Sequence, residues 1–328
     1  MNLNIKKIGV LTSGGDAPGM NAAIRAVVRS CAYRKIKCVG IYRGYEGLIE
    51  GDFKELNARS VKNMIHRGGT FLKSARSKRF FTKEGRQAAS DNLKEEGIDA
   101  LVVIGGDGTF NGAVVFNAEH DFPVVGIPGT IDNDINGTDF TIGYDTALNT
   151  VVDAIDKIRD TANSHNRLFL VEVMGRDAGD IALNAGIGAG AEEILIPELD
   201  RGRDRLLASL MRSKESGKTS SIVVVSEGDQ IGKNIFELAS YIEENLEGYE
   251  VRVSVLGHIQ RGGAPSCYDR VLASRMGVSA VDALLENKRD IMIASVQRQM
   301  VSVPFSEALK GANKLEKELI RVADILSV

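Results

Sequence analysis

One local pattern recurs along most of the 328 residues: a short apolar run of strand length, then a glycine-rich or polar turn, then a helical pattern. Strands that are buried on both faces by crossover helices read as continuous apolar runs of this kind. The pattern therefore predicts an α/β fold with mainly parallel sheets. The clearest predicted strands are Ile8–Thr12, Leu101–Ile104, Val124–Ile127, Leu168–Met174, Ile222–Val225 and Val251–Leu256.

Two helices are readable from their apolar stripes. The first follows the first strand and carries apolar residues at helical spacing, namely Met20, Ala23, Ile24, Val27, Val28 and Cys31. The second runs from about Ala147 to Ala162 and is a candidate start of a second lobe. A chain of 328 residues exceeds the size at which one core usually stops growing. We therefore expect two lobes around separate sheets.

Composition excludes several classes of function. A formal net charge of -3 gives no overall attraction to nucleic acid or to an anionic membrane surface. The apolar run near the N-terminus is too short for a signal peptide, and no stretch reaches the length of a membrane span. The three cysteines show no paired or metal-binding spacing. We expect a cytoplasmic protein with neither nucleic acid nor membrane as a partner.

Three predicted strands end in loops of similar character. The loops are Ser13–Gly19 (SGGDAPG), Gly105–Thr109 (GGDGT) and Pro128–Asp134 (PGTIDND). Ligands collect at the carboxyl ends of parallel strands, where glycines let backbone N–H groups approach an anion and a following helix adds partial positive charge. Neither standard nucleotide fingerprint is present. One such turn is equally consistent with a tight strand-to-helix connection, but the three together favour phosphate binding.

Acidic residues in two of these loops suit a magnesium ion. Asp132 and Asp134 stand two apart, and Asp107 lies in the GGDGT turn. Mg²⁺ is commonly held by one or two carboxylates together with phosphate oxygens, which would leave one carboxylate to act as a base toward a hydroxyl. The alternative is that these aspartates bond only their own backbone, as turn aspartates often do.

Several basic residues stand in positions that suit phosphate oxygens. Arginine binds phosphate in a bidentate way through its fixed fork. Each arginine on its own is equally readable as a solvated surface charge or an ion-pair partner. A lone histidine, His258, is often only a satisfied polar group, and its spacing to other ligand types does not indicate zinc. The candidate arginines are Arg76, Arg167, Arg176, Arg252 and Arg261.

Six segments between Lys7 and Met276 follow one another in a distinctive order. They read TSGGDAPGMNAAIR, HRGGTFLKSAR, LVVIGGDGT, PGTIDNDI, VEVMGRDAGD and VLGHIQRGGAPSCYDR. Together they closely resemble the ATP-dependent 6-phosphofructokinase family of bacteria. The resemblance implies two α/β sandwich (Rossmann-like) lobes with mainly parallel sheets. Residues 1–143 with about 260–310 would form the larger, ATP-binding lobe, and residues 144–259 with about 311–328 the smaller, fructose 6-phosphate-binding lobe.

The resemblance also implies roles for individual residues in the transfer of the γ-phosphoryl group from MgATP. Asp132 would be the base that removes the proton from the C1 hydroxyl of fructose 6-phosphate. Thr130, Arg176 and Arg76 would position and stabilise the transferring group. Asp107 and Asp134 would serve the Mg²⁺ ion. The residues implied at the ATP site are Gly15, Tyr45, Arg76, Gly106, Asp107, Gly108 and Thr109.

For the sugar phosphate, the resemblance implies residues from two copies of the chain. Arg167 and Arg252 would reach in from a neighbouring subunit, so the active site would require a homo-oligomer, typically a tetramer. The residues implied from the first subunit are Thr130, Asp132, Met174, Gly175, Arg176, Glu227, His258 and Arg261.

Two glycines bear on the choice of phosphoryl donor. Pyrophosphate-dependent members of this family look like GGDD at the turn and PKT before the acidic loop, whereas this chain has Gly108 and Gly129 there. Larger side chains would occupy the space that the α-phosphate and the nucleoside need, and the lysine would supply charge that ATP and its metal otherwise provide. The sequence thus predicts ATP as the donor.

A regulatory site is a further hypothesis. Arg25 and Arg29 lie one helical turn apart on the face opposite the apolar stripe, which suits a bound anion and equally describes a solvated face. The resemblance implies a site at which ADP or GDP activates and phosphoenolpyruvate inhibits, but Ala58 and Ser216 stand where the family usually has basic residues. The implied residues are Arg25, Arg29, Arg159, Glu192 and Lys218.

Two other classes of function compete with this interpretation. A non-catalytic sensor of sugar phosphate or nucleotide would keep the fold without turnover, yet a binder has no need of a base such as Asp132 beside the transferred phosphate. A kinase of the NAD or lipid type would share the GGDG turn, but the HIQRGG and MGRDAGD segments argue against it.

Overall fold

The computed structural model describes residues 5–163, 167–199, 201–217, 220–247, 250–311 and 315–326. The chain divides into two compact units. Unit 1 consists of the described residues within 1–131, 135–146 and 261–313. Unit 2 consists of those within 132–134, 147–260 and 314–328.

Unit 1 is built on a sheet that has seven strands among its described residues, in the order β11-β10-β5-β4-β1-β2-β3. The five central strands are parallel, and β3 and β11 each join an edge in antiparallel fashion. The strands are β1 Lys7–Thr12, β2 Lys37–Ile41, β3 Phe53–Leu56, β4 Ala100–Gly105, β5 Val124–Pro128, β10 Ile291–Val296 and β11 Gln299–Pro304. The helices are α1 Met20–Tyr33, α2 Gly44–Glu50, α3 Lys83–Glu96, α4 Asp107–His120, α9 Cys267–Leu285 and α10 Phe305–Ala308.

Unit 2 carries a sheet with four parallel strands among its described residues, in the order β7-β8-β6-β9. The strands are β6 Arg167–Val173, β7 Glu193–Leu195, β8 Ser221–Ser226 and β9 Glu250–Val255. The helices are α5 Tyr144–Asn163, α6 Asp180–Gly188, α7 Arg203–Glu215, α8 Ile235–Asn245 and α11 Lys317–Leu326. The first three residues of α5 cluster with unit 1, and the following ones with unit 2.

The predicted fold class, α/β with mainly parallel sheets, is confirmed. All six predicted strands form, and each observed boundary lies within one residue of the predicted one. Their residues read as unbroken apolar runs because helices bury both faces, as in β4 and β8, whose residues are all buried. The shorter and more polar strands β2, β3 and β7 lacked that signal, as did the hairpin formed by β10 and β11.

A buried carboxylate joins the first turns of α5 and α9 inside unit 1. Asp269, near the start of α9, accepts hydrogen bonds from the backbone N–H groups of Gly143 and Thr146, each at 2.8 Å, and from the Thr146 hydroxyl at 2.5 Å. Its side chain is fully buried. Burial raises the pKa of Asp269 to about 6, although the hydrogen bonds from Thr146 and Gly143 oppose the rise.

This raised pKa predicts a pH-dependent contribution to stability. Between its ordinary pKa of 3.8 and about 6, Asp269 is protonated when folded and ionised when unfolded. Asp269 therefore adds at most roughly 3 kcal/mol to the free energy of unfolding. This addition is complete below pH 3.8 and is lost as the pH rises through about 6. Urea unfolding of the parent and of Asp269→Asn at several pH values would check this. We expect the free energy of unfolding to fall less steeply over that window in the variant, and equal slopes would contradict the prediction.

Candidate active site

The two predicted glycine turns lie side by side in unit 1. Strands β1 and β4 are parallel neighbours, so their carboxyl ends deliver both turns to the same edge of the sheet. The Ser13 N–H donates to the Ile104 carbonyl at 3.0 Å, and the Thr109 hydroxyl donates to the Ser13 carbonyl at 3.2 Å. The turns are thus tied together before any ligand binds.

Two glycines of the GGDGT turn differ in what a side chain would meet. A β-carbon on Gly105 would lie 2.4 Å from the Ser13 carbonyl oxygen, a contact that no real side chain makes. A β-carbon on Gly108 would meet no atom within 4 Å. Because α4 begins at Asp107, the amino end of the helix, with its partial positive charge, lies beside this open space. The arrangement fits an anion such as a nucleotide phosphate.

Two residues that were predicted to line the ATP site, Tyr45 and Thr109, are hydrogen-bonded to each other at the end of the turn. The Tyr45 ring is buried and stacks on Phe80 with a centroid distance of 4.0 Å. Its hydroxyl donates to the Thr109 carbonyl at 2.5 Å, and burial raises the pKa of Tyr45. Thr109 is itself only 2% exposed. Both residues support the first turn of α4 in this structure, and direct contact with a nucleotide stays a prediction for them.

The first glycine turn contacts an arginine from a distant part of the sequence. The Arg261 guanidinium lies against Gly15, where a β-carbon would come within 2.6 Å of Nη1. The same Nη1 donates to the Asp16 carbonyl at 3.3 Å. The structure thus brings Arg261, a predicted sugar-phosphate ligand, to the turn that contains the predicted ATP-site residue Gly15. Arg76 lies in an irregular segment with an exposed side chain.

The acidic loop follows β5. Its backbone continues alongside the GGDGT turn, because the Gly129 N–H donates to the Gly105 carbonyl at 3.0 Å. Thr130 is 8% exposed, and its carbonyl accepts a hydrogen bond from the Thr141 hydroxyl at 2.6 Å. The role of Gly129 in the choice of phosphoryl donor stays a prediction. A β-carbon there would lie 3.2 Å from both Ile104 and Met20, which are buried core side chains.

The next three residues of the acidic loop belong to unit 2. Asp132 is 3% exposed, and Asn133 adopts a left-handed conformation with φ of 53°. Asn133 hydrogen-bonds Asp180, whose pKa is raised to about 7 mainly by burial, with this bond opposing the rise. Asp134 lies 3.9 Å from the Arg176 guanidinium. The predicted base, metal ligand and positioning arginine therefore belong to one unit, and Asp134 and Arg176 are close.

The turn after β6 is held by a glutamate. Gly175 and Arg176 have positive φ values of 146° and 53°, and the Glu227 carboxylate accepts hydrogen bonds from both backbone N–H groups, at 3.3 and 2.8 Å. Gly228 packs so closely that a β-carbon would lie 2.0 Å from the Arg176 carbonyl oxygen. The structure thus brings Met174, Gly175, Arg176 and Glu227 together, as predicted from the sequence.

The two arginines predicted to serve a neighbouring subunit share a glutamate that sequence reasoning missed. Arg167 Nε donates to Glu250 at 2.7 Å, and Arg252 forms an ion pair with the other oxygen of the same carboxylate. Arg167 and Glu250 are paired residues of the parallel strands β6 and β9. Two guanidinium groups on one carboxylate leave a net positive charge for an arriving anion. His258, which follows β9, is exposed.

The predicted effector residues fall into both units. Arg25 and Arg29 lie on α1, where burial and the neighbouring Arg29 charge lower the pKa of Arg25. In unit 2, Arg159 donates to the Ala189 and Gly190 carbonyls, both at 2.7 Å, and lies 3.7 Å from Glu192. Lys218 lies outside the described residues.

The carboxylates in the structure bear on the predicted Mg²⁺ ion. Among the described residues, no group of three or more His, Cys, Asp or Glu side chains is arranged to hold a metal ion. Mg²⁺ does not need such a cage, since it usually keeps waters and binds one or two carboxylates and substrate phosphates. Asp107, at the start of α4 and beside the open space over Gly108, fits that requirement.

Helix length and hydropathy bear on membrane association. In the part of the chain that the structure describes, no helix combines the length and the apolar character that crossing a bilayer would take.

The fold and site define a class of protein: an α/β phosphate-binding protein whose glycine turns stand at the carboxyl ends of parallel strands. The sequence profile described as Phosphofructokinase matches residues 7–284. The chain therefore belongs to the phosphofructokinase family. This membership rules out the alternative of an NAD-type or lipid-type kinase.

Relatives of known name agree over nearly the full chain. The sequence is 54% identical over 324 residues to ATP-dependent 6-phosphofructokinase 2 of Bacteroides thetaiotaomicron, covering 99% of each chain. It is 55% identical to ATP-dependent 6-phosphofructokinase of Bacillus subtilis, covering 99% of this chain and all of the relative. The solved phosphofructokinase of Saccharomyces cerevisiae superposes with a TM-score of 0.88 at 36% identity. That match covers 98% of this chain but only 46% of the yeast chain.

Some functional residues gave little signal in the sequence. Glu250 and Asp269 are acidic residues without a neighbouring motif glycine, and each has a partner that is far away in sequence, Arg167 for Glu250 and Gly143 for Asp269. Gln260 stands inside the HIQRGG segment, yet it was passed over in favour of the charged residues beside it. A polar residue next to a glycine turn after a strand is the signal that could have found Gln260, since buried amides are seldom placed there without a partner.

Proposed function

We propose that the chain transfers the γ-phosphoryl group of ATP to the C1 hydroxyl of fructose 6-phosphate, giving fructose 1,6-bisphosphate and ADP. Unit 1 binds ATP and unit 2 binds most of the sugar phosphate. Full-length similarity to proteins named ATP-dependent 6-phosphofructokinase supports the reaction.

One structural observation carries the proposal. The glycine turns after β1 and β4 are locked side by side by the Thr109–Ser13 hydrogen bond, and α4 starts at Asp107 beside an open space. Backbone amides, a helix N-terminus and room without side chains are what a polyphosphate requires. A protein that bound only a neutral sugar would have no use for this arrangement.

Asp132 performs the proton transfer in this mechanism. Its carboxylate takes the proton from the C1 hydroxyl as that oxygen attacks the γ-phosphorus in line, and ADP leaves from the opposite side. Thr130 positions the transferring group. Arg176 and Arg76 supply positive charge, which stabilises the negative charge spread over the phosphoryl oxygens. Asp107 and Asp134 would hold Mg²⁺, which supplies further charge neutralisation when it is bound.

The sugar phosphate is recognised by unit 2 and by a second copy of the chain. Met174, Gly175, Glu227 and His258, which the resemblance implies, belong to unit 2, while Thr130 and Arg261, which it also implies, belong to unit 1. Arg167 and Arg252 serve a neighbour's site, with Glu250 neutralising part of their charge until phosphate arrives. Strand β9 forms one edge of its sheet and Val255 is 50% exposed, which favours a homo-oligomer, in this proposal a tetramer.

Regulation and location complete the proposal. ADP or GDP would activate and phosphoenolpyruvate would inhibit through Arg25, Arg29, Arg159, Glu192 and Lys218. The close approach of Arg25 and Arg29 supports an anion site on α1, since two like charges gain from a shared counter-ion. A cytoplasmic location agrees with Cys31, Cys38 and Cys267, which are free thiols in the structure.

A coupled assay with Mg²⁺ and fructose 6-phosphate tests the proposed reaction. We expect turnover with ATP and little or none with pyrophosphate at equal concentration. Repeating the assay with ADP and with phosphoenolpyruvate should shift the fructose 6-phosphate saturation curve in opposite directions. A clear preference for pyrophosphate would overturn the donor assignment, and a curve unchanged by both effectors would remove the regulatory site.

A further inference from the structure

Strand β9 leaves the sheet of unit 2 before its neighbour β6 has ended. The last ladder bond of the pair runs from the Leu256 N–H to the Glu172 carbonyl at 3.0 Å. At Gly257 the backbone has φ of 52° and turns into a short 3₁₀ segment, Gly257–Arg261. Beyond Val173, the backbone of Met174 therefore has no β9 residue to pair with.

Gln260 supplies the missing partner. Its Oε1 accepts a hydrogen bond from the Met174 N–H at 3.2 Å, and its Nε2 donates to the Gly257 carbonyl at 3.0 Å. The side chain is fully buried. A side-chain amide offers one carbonyl and one N–H group in the same way as a peptide bond, so Gln260 replaces the peptide group that β9 no longer provides. Leaving these partly buried backbone groups unbonded would cost stability.

The two segments joined by Gln260 both carry predicted sugar-phosphate residues of unit 2. Met174 opens the turn that contains Arg176, and His258 follows Gly257 in the 3₁₀ segment. Glu227 holds the far side of the first turn through the N–H groups of Gly175 and Arg176, so Gln260 is the link between that turn and the histidine segment.

We propose that Gln260 is a positioning residue for the sugar phosphate, fixing the spacing between the Met174–Arg176 turn and His258. It makes no contact with the substrate itself. Its two hydrogen bonds set where the Met174 backbone and the His258 side chain stand before the substrate arrives. The inference rests on the proposed function, because it assigns Gln260 to the fructose 6-phosphate part of the same site.

Replacing Gln260 by methionine keeps the length and removes both hydrogen bonds. We expect the KM for fructose 6-phosphate to rise about 10–100-fold, while the KM for ATP stays within about twofold and kcat within about fivefold. A residue that matters only for stability would lower the melting temperature without separating the two KM values.

Gln260→Glu provides a readout that a merely structural role would not move. A protonated carboxyl can donate its O–H to the Gly257 carbonyl and accept from the Met174 N–H, as the amide does. In the ionised form a carboxylate oxygen would face the Gly257 carbonyl oxygen, and neither atom can donate. Burial favours the protonated form. Relative to the parent, the KM for fructose 6-phosphate should be nearly restored at about pH 5.5 and should rise toward pH 8. If Gln260→Met does not fold, the Gln260→Glu variant alone tests the proposal.

Asn92→Leu is the matched control. The Asn92 amide donates to the backbone carbonyls of Leu48 and Ile49 at 2.9 and 2.8 Å in unit 1, away from the predicted sugar-phosphate residues. This variant should lose stability and keep the parent KM for fructose 6-phosphate. If the parent turns over the substrates but both Gln260 variants keep its KM at every pH, the inference is overturned and the proposed function stands. If the parent turns over no fructose 6-phosphate, the inference and the proposed function are both overturned.

Discussion

Replacing Asp132 by asparagine is expected to lower kcat about 10³-fold while the KM values for ATP and fructose 6-phosphate stay within about threefold. Asparagine has the same shape but accepts no proton, so the C1 hydroxyl would have to attack without a base. Asp132 is 3% exposed, and asparagine keeps its volume and one carbonyl oxygen, so the variant should stay folded. Steady-state kinetics and a thermal melt on the same preparation would measure both effects.

Asp139→Asn is the control for this experiment. Asp139 lies seven residues further along, its side chain is exposed, and its carboxylate accepts a hydrogen bond from the Gln297 N–H at 2.7 Å, outside the predicted site. The same isosteric change there should leave kcat close to that of the parent. Near-normal turnover in Asp132→Asn would disprove the base assignment. A parent protein that binds both substrates without turnover would instead be a sensor.

The parts of the fold that follow from short-range patterns were predictable. β4 and β8 are buried on both faces, and a short unbroken apolar run bounded by turn residues is typical of such a strand. The glycine turn after β4 was equally readable, because the Ser13 carbonyl excludes any side chain at Gly105. For the strands and for the glycine turn, the residue types within a short stretch of sequence are enough to predict the local structure.

Contacts between distant residues were not predictable in the same way. Glu250 lies between Arg167 and Arg252 only because β6 and β9 pair in register, and Gln260 meets Met174 only because β9 ends early. The family resemblance implied that Tyr45 lines the nucleotide site, and it gave no sign that the Tyr45 hydroxyl would bond the Thr109 carbonyl. A motif indicates that a residue belongs to a site, whereas three-dimensional packing decides which atoms face the ligand.

Gly129 is a further position at which the sequence alone does not show what a side chain would face. Sequence comparison placed it with Gly108 as a determinant of the phosphoryl donor, since both positions differ in pyrophosphate users. The structure separates them, because a β-carbon at Gly129 would point at Ile104 and Met20 while one at Gly108 would point into open space. An added side chain has room at Gly108 and would press on core side chains at Gly129, so donor choice in this chain is best tested at Gly108.

Gly108→Asp is therefore expected to lower kcat/KM for ATP by about 10²–10³-fold without lowering the melting temperature. The added carboxylate would stand where the phosphates of ATP approach, and one like-charge contact near a protein surface costs about 4 kcal/mol at 4 Å. Apart from the neighbouring residues and backbone of α4 itself, no atom lies within 4 Å of the new β-carbon, and an acidic residue in the first turn of α4 interacts favourably with the helix dipole. The melting temperature should therefore be maintained.

Two companion variants separate the causes of that loss. Gly108→Asn adds nearly the same volume without charge, so its loss of kcat/KM should be clearly smaller than that of Gly108→Asp. Gly105→Ala, in the same turn, should do the opposite and lower the melting temperature, because its β-carbon would meet the Ser13 carbonyl at 2.4 Å. Equal losses for Gly108→Asn and Gly108→Asp would mean that volume alone is decisive. Unchanged ATP kinetics in both would show that the phosphates do not pass over α4.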